Sequence, residues 1–216
     1  RHRLDVYQPA TGTVPDGAPV VLFFYGGNWT RGERADYRFV GEALAANGII
    51  AVVADYRLSP QVRVEGLLAD CGLALQWTLA HAASLGGDPK RVMVMGHSAG
   101  AYNAAMLALD PRWLLPLGLA PKQLAGWIGL AGPYDFLPIG DPEVQVAFGW
   151  PQTPAQSQPV FYASSKAPRT LLLAGQNDSV VNTQRKTLGL AAGLRAEGNQ
   201  VEVSIFDRIG HVNTIV

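Results

Sequence analysis

Six short apolar runs, Val20–Phe24, Ile49–Ala54, Arg91–Met95, Leu124–Leu130, Thr170–Ala174 and Val201–Phe206, alternate with longer stretches of helical spacing. The pattern is that of an α/β fold, a mostly parallel central sheet covered by helices on both faces in a three-layer αβα sandwich. Within Tyr37–Ala46 the residues Phe39, Val40, Ala43 and Leu44 form a one-sided stripe that should lie on the sheet. Leu67, Leu68, Cys71, Leu75, Trp77 and Leu79 recur at similar spacing through Val64–Ser84, and Gly86-Gly87-Asp88-Pro89 should stop that helix. Ala99–Leu109, rich in small residues, and Thr183–Arg195 supply two further helices.

Composition narrows the function classes. The 216 residues are 48% hydrophobic and 16% charged, enough for one sizeable core, so a single domain over 1–216 is expected. Basic and acidic residues number 17 each, so no net positive field exists to attract a nucleic-acid backbone. The single cysteine, Cys71, excludes an intrachain disulfide, and no Cys/His cluster offers a structural zinc site. Cys71 falls on an apolar helix stripe and reads as a buried, inert thiol. The longest apolar run, Pro19–Tyr25, is strand-sized, so no membrane span is expected. The chain opens Arg-His-Arg without methionine. Its address is not readable from the residues, cytoplasm and, where a leader has been removed, periplasm both staying open. Nothing in the residues sets an oligomeric state. The stretch 133–168 holds seven of the 15 prolines with little periodicity and reads as an excursion forming a lid or pocket wall.

Gly96-His97-Ser98-Ala99-Gly100 ends a core strand and begins a helix, the context in which Gly-x-Ser-x-Gly acquires mechanical meaning. The two glycines leave room for a tight turn that exposes the Ser98 hydroxyl above the strand ends; an ordinary glycine-rich turn is the competing reading. A serine hydroxyl needs a base, and the base needs an orienting acid. Of four histidines, His2 lies at the chain start, His81 in an amphipathic helix, and His97 beside the serine with its ring expected to point away from the reacting oxygen. His211 follows the last strand on a glycine-flanked loop and is the candidate base. Asp178, just past a strand, gives the chain order serine, acid, histidine that this motif demands. Asp135 and Asp207 compete for the acid role. A third element, Tyr25-Gly26-Gly27-Asn28-Trp29, runs from a strand into a glycine turn whose free N–H groups, with that of Ala99, could stabilise an oxyanion. Losing one such donor raises a barrier by about 3 kcal/mol.

Together these pieces resemble the α/β-hydrolases of the esterase and lipase branch, which includes hormone-sensitive-lipase-like carboxylesterases, bacterial feruloyl-type esterases and kynurenine formamidases. The matching residues cover nearly the whole chain: Leu4-Asp5-Val6-Tyr7, Tyr25-Gly26-Gly27-Asn28-Trp29, Asp55-Tyr56-Arg57-Leu58, Gly86-Gly87-Asp88-Pro89, Gly96-His97-Ser98-Ala99-Gly100, Gly175-Gln176-Asn177-Asp178 and Gly210-His211. The resemblance implies that Ser98 is the nucleophile, His211 the base and Asp178 its partner, with oxyanion donors from Gly27, Asn28 and Ala99. Asp55, Arg57 and Asp88 match structural positions of that family. Tyr25 stands where the family usually has histidine, which bears on the shape of the oxyanion loop. The chain also ends five residues after His211, where members of the family continue into a helix, so that helix is expected to be missing here.

The resulting expectation is a bacterial serine carboxylesterase that hydrolyses small to medium apolar or aryl esters through an acyl-enzyme, with no metal or cofactor. Trp29 and Tyr102 are expected to contact substrate; Tyr134, Phe136, Phe148 and Trp150 either join them or pack the excursion down. The alternatives are a formamidase of the kynurenine formamidase type, or a hydrolase-like module that binds without catalysis.

Overall fold

The computed structural model describes residues 2–10, 17–164 and 166–215. Among the described residues seven strands form one sheet: β1 (Leu4–Tyr7), β2 (Ala18–Phe24), β3 (Ile50–Ala54), β4 (Gly87–His97), β5 (Gly126–Leu130), β6 (Thr170–Gly175) and β7 (Val201–Phe206), in the spatial order 1-3-2-4-5-6-7. β1 runs antiparallel to β3 and every other pair is parallel. The helices are α1 (Arg38–Ala46), α2 (Val64–His81), α3 (Ala99–Leu109), α4 (Pro142–Ala147) and α5 (Gly189–Ala196).

Connectivity explains the layers. The crossover through α1 steps from β2 to β3 in one direction, whereas those through α2, α3 and α5 step the other way. Right-handed crossovers running in opposite directions place their helices on opposite faces. The central strands are covered twice and read as continuous apolar runs: all five residues of β3 are buried. All eleven residues of α3 are buried too, which its alanines and glycine permit by letting the helix lie close under the sheet.

The direction of travel reverses between β2 and β4, and the register aligns Phe24 with Gly96, so the loops after both strands open at the same point of the sheet's carboxyl edge. Such a switch point is where open α/β sheets bind ligands.

Three local expectations change. β4 starts at Gly87, so Gly87-Asp88-Pro89 opens a strand, while α2 ends earlier at His81. On α1 the buried face is Val40 and Gly41, and Phe39 is 41% exposed, so the stripe is narrower than its spacing suggests. The 133–168 stretch contains α4, whose signal was short: Asp141 accepts hydrogen bonds from the N–H groups of Glu143 and Val144, and Pro142 takes the first helical position. Among the described residues no helix is long and apolar enough to cross a membrane.

Candidate active site

Ser98 joins β4 to α3 with φ 53° and ψ −120°, a strained conformation for a residue bearing a side chain. Its N–H donates to the Leu130 carbonyl on β5, 2.8 Å away. The flanking glycines are sterically required: a Cβ on Gly96 would lie 2.1 Å from the Gly100 carbonyl oxygen, and one on Gly100 only 2.0 Å from that of Phe24. The elbow therefore wedges α3 against β2.

The Ser98 hydroxyl donates to His211 Nε2 at 2.8 Å, and His211 Nδ1 donates to Asp178 Oδ2, also at 2.8 Å. The directions follow from chemistry, because an ionised carboxylate only accepts, which fixes the proton on Nδ1 and leaves the Nε2 lone pair for the serine. Asp178 is fully enclosed, and its other oxygen accepts from the N–H groups of Val180 (2.9 Å) and Val181 (2.7 Å). Asp135 is engaged elsewhere, in a bidentate pair with Arg185, and Asp207 lies exposed in the turn after β7. His2 pairs with Asp70, and His81 bonds the Trp77 carbonyl; neither approaches the serine.

His97 holds a role the sequence did not disclose. It makes no hydrogen bond to Ser98, but its ring lies 5.2 Å from that of His211 and its Nε2–H donates to the His211 carbonyl at 3.1 Å. Burial lowers its pKa to about 4, so the ring is neutral at pH 7 and Nδ1 is left as an unpartnered acceptor.

After β2, Gly27 (φ 121°), Asn28 (φ 51°) and Trp29 (φ 60°) are successively left-handed, and both Thr30 and Arg31 N–H groups close onto the Gly27 carbonyl. The N–H groups of Gly27, Asn28 and Ala99 have no acceptor among the described residues. Asn28 and Ala99 line the cavity beside Ser98, whereas Gly27 lies one residue behind its wall. Tyr25 shapes this loop by packing: its ring stacks on Tyr56 at 4.6 Å and on Tyr37 at 5.8 Å. The polar restraints come from those two neighbours, with the Tyr56 hydroxyl donating to the Tyr25 carbonyl and the Gly26 N–H donating to the Tyr37 hydroxyl. Burial pushes the Tyr25 phenol's pKa upward, so it stays protonated.

The cavity, about 370 Å³, is bounded by Trp29, Phe136, Ile139, Val144 and Val181, with Arg185 and Lys186 at one side. Trp29 belongs to its wall, and its Nε1–H donates to buried Asn103. Tyr102 does not. It is wholly buried, its hydroxyl donates to the Ser157 carbonyl, and its ring props Trp29 edge-on at 5.2 Å. The expected substrate contact at Tyr102 is thus corrected to a packing role. Phe148 likewise stands behind Trp29, Tyr134 is buried against Trp127, and Trp150 is 53% exposed. Cys71 is a free, buried thiol whose pKa burial raises.

Comparison with known proteins bears on the family and the fold. The BD-FAE family matches residues 4–113, and the prolyl oligopeptidase family matches residues 67–214. The chain belongs to the α/β-hydrolases, on their serine esterase branch. This α/β-hydrolase is 29% identical to the isoprenylcysteine alpha-carbonyl methylesterase of Arabidopsis thaliana over 99% of its own length and 54% of that protein. It is 30% identical to the probable carboxylic ester hydrolase LipM of Mycobacterium tuberculosis over 85% of its own length and 47% of that protein. The chain thus spans about half the length of these curated relatives. Among solved structures, apo esterase 2 of Thermogutta terrifontis superposes with a TM-score of 0.83 at 26% identity, covering 97% of this chain and 80% of that one. Structures of the same esterase with propionate bound, with butyrate bound and phosphorylated by paraoxon are equally similar in fold.

Proposed function

We propose that this α/β-hydrolase hydrolyses carboxylic esters through an acyl-enzyme intermediate. Ser98 Oγ attacks the ester carbonyl as its proton passes to His211 Nε2, and Asp178 holds the imidazole in the productive tautomer and balances the imidazolium that forms. The carbonyl oxygen, now an anion, accepts from the N–H groups of Asn28 and Ala99, with Gly27 as the further candidate donor. Collapse breaks the bond to the leaving alcohol, which takes its proton from His211. Water, deprotonated by the same ring, then attacks the acyl-serine and releases the acid. Each atom is supplied by substrate, water or these side chains, so no step calls for a metal or cofactor.

The observation that carries this reading is the continuous hydrogen-bond chain from Asp178 through His211 to a left-handed Ser98, opening into a cavity with two unpartnered N–H groups. The apolar wall of Trp29, Phe136, Ile139 and Val144 favours small to medium acyl or aryl groups. That the Thermogutta terrifontis esterase has been captured with propionate and with butyrate supports the same size range. Residues 133–168 contribute seven of the lining residues, among them Pro133, Phe136, Ile139 and Val144, and act as the pocket wall of the one domain. The test is intact-mass analysis after exposure to a small fluorophosphonate. One stoichiometric adduct is expected, absent in Ser98→Ala; an unmodified wild-type chain overturns the proposal.

A further inference from the structure

Lys186 lines the cavity that opens on Ser98, and among the described residues its ammonium has no hydrogen-bond or ion-pair partner. Every nearby carboxylate is already committed. Asp135 holds Arg185 through two contacts at 2.8 and 2.9 Å. Asp178 serves His211 and the N–H groups of Val180 and Val181, and Asp141 turns back to cap α4. A π turn over Gln184–Leu188 sets the consecutive residues Arg185 and Lys186 on the same wall. The charge of Arg185 is cancelled there and that of Lys186 is not. Burial lowers the Lys186 pKa, and repulsion from Arg185 adds to this, against the opposing pull of Asp178 and Asp135. A half-buried cation without a direct ion-pair partner is a group that an incoming anion stabilises.

We propose that the cavity selects esters carrying an ionised carboxylate a few bonds from the scissile carbonyl, which pairs with Lys186 while the carbonyl rests on Ser98. This rests on the esterase reading and names its substrate class. The methylenes between the two groups would lie along Ile139, Val144 and Val181, which share the cavity with Lys186. The same cation disfavours esters bearing a quaternary ammonium, so selectivity comes from repulsion as well as attraction.

The experiment compares kcat/KM for 4-nitrophenyl hydrogen glutarate with that for neutral 4-nitrophenyl valerate. The wild type should favour the anionic ester, and Lys186→Met should reduce the anionic-to-neutral ratio by about tenfold or more, mainly through KM. Lys122→Met, on the turn before β5 at the other edge of the sheet, should keep the wild-type ratio. Lys186→Glu should shift preference toward a trimethylammonium-bearing ester. An equal ratio in wild type and Lys186→Met overturns the inference, and if the fluorophosphonate still labels Ser98 the esterase reading stands without it. If neither labelling nor turnover occurs, the esterase reading fails; calorimetric binding of monomethyl glutarate then decides, weaker by about tenfold in Lys186→Met if the charge site exists and unchanged if it does not.

Discussion

Ser98 and His211 meet at 2.8 Å, yet they come from opposite extremes of the packing. Ser98 stands on a helix with every residue buried, at an elbow where backbone presses on backbone. His211 follows β7, the outermost strand, where Ile205 and Phe206 are 37% and 43% exposed and Val212 beyond them 64%. One partner is placed by a close-packed core that cannot shift without losing contacts. The other is placed by one close backbone approach, where a Cβ on Gly175 would lie 2.2 Å from the Ile209 carbonyl oxygen, and by a handful of hydrogen bonds: Asp178 on its ring, His97 on its carbonyl, Asn177 N–H on the Ile209 carbonyl and Thr214 on the Gly210 carbonyl. Equal precision can therefore have unequal sources. Changes at the elbow should damage fold and chemistry together, whereas changes at the histidine loop should damage chemistry alone.

Two substitutions break that comparison from either side. Asp178→Asn keeps an oxygen for the N–H groups of Val180 and Val181 but turns an amide toward His211, favouring the wrong tautomer. Turnover of a short aryl ester should fall by roughly 10⁴-fold while the thermal midpoint moves by only a few degrees. Gly100→Ala drives a methyl onto the Phe24 carbonyl, and its largest effect should be a loss of about 3 kcal/mol or more in denaturant unfolding, with activity lost alongside. If Gly100→Ala proved as stable as wild type, the elbow would not be the rigid side of the site.

The rigid side was also the legible one. The Gly-His-Ser-Ala-Gly elbow, α3 to the residue and all six apolar runs stand in the sequence because burial on both faces writes continuous apolar runs and a strained turn demands glycine. Asp178 and His211 were legible through chain order. What escaped was whatever depends on side-chain direction across distant segments. His97 reaches the His211 backbone 114 residues away, Tyr37 and Tyr56 supply the polar restraints on the oxyanion loop while Tyr25 packs it, and Tyr102 turns its hydroxyl to Ser157 instead of the cavity. Helix α4 was hidden by prolines, though Asp141-Pro142 is a capping signal. No motif in the sequence singles out Lys186; the π turn places it on the cavity wall.

The hydrogen bond from His97 sharpens the contrast through pH. Its folded pKa of about 4 lies below the ordinary 6.5, so the unfolded chain takes up a proton first as pH falls. Stability from the neutral ring is fully present above pH 6.5 and is lost progressively down to about pH 4, by up to about 3 kcal/mol. Burial is the largest cause; the His211 ring charge works in the same direction, while the hydrogen bond to the His211 carbonyl and the Asp178 charge oppose it. Urea unfolding of wild type and His97→Gln across this window should converge as pH falls, because the variant lacks the titrating ring. Curves that stay parallel would show that burial does not hold the His97 ring neutral between the elbow and the histidine loop.

The smallest effect tests whether the boundary between core and cavity is drawn correctly. Tyr102 and Trp29 touch at 5.2 Å, but only Trp29 belongs to the cavity wall. Tyr102→Phe removes a buried hydroxyl and leaves the Ser157 carbonyl without its donor, so unfolding stability should drop by about 1 kcal/mol. The ring that props Trp29 remains, so kcat/KM for a short aryl ester should change by less than about twofold, a barrier shift of about 0.4 kcal/mol. The reverse result, unchanged stability with a clear fall in kcat/KM, would move the hydroxyl from the packed side of the wall to the substrate side. It would also mean that the excursion is held down by its aromatic cluster without help from the Tyr102–Ser157 bond, and that the cavity reaches one layer deeper into the core than Trp29.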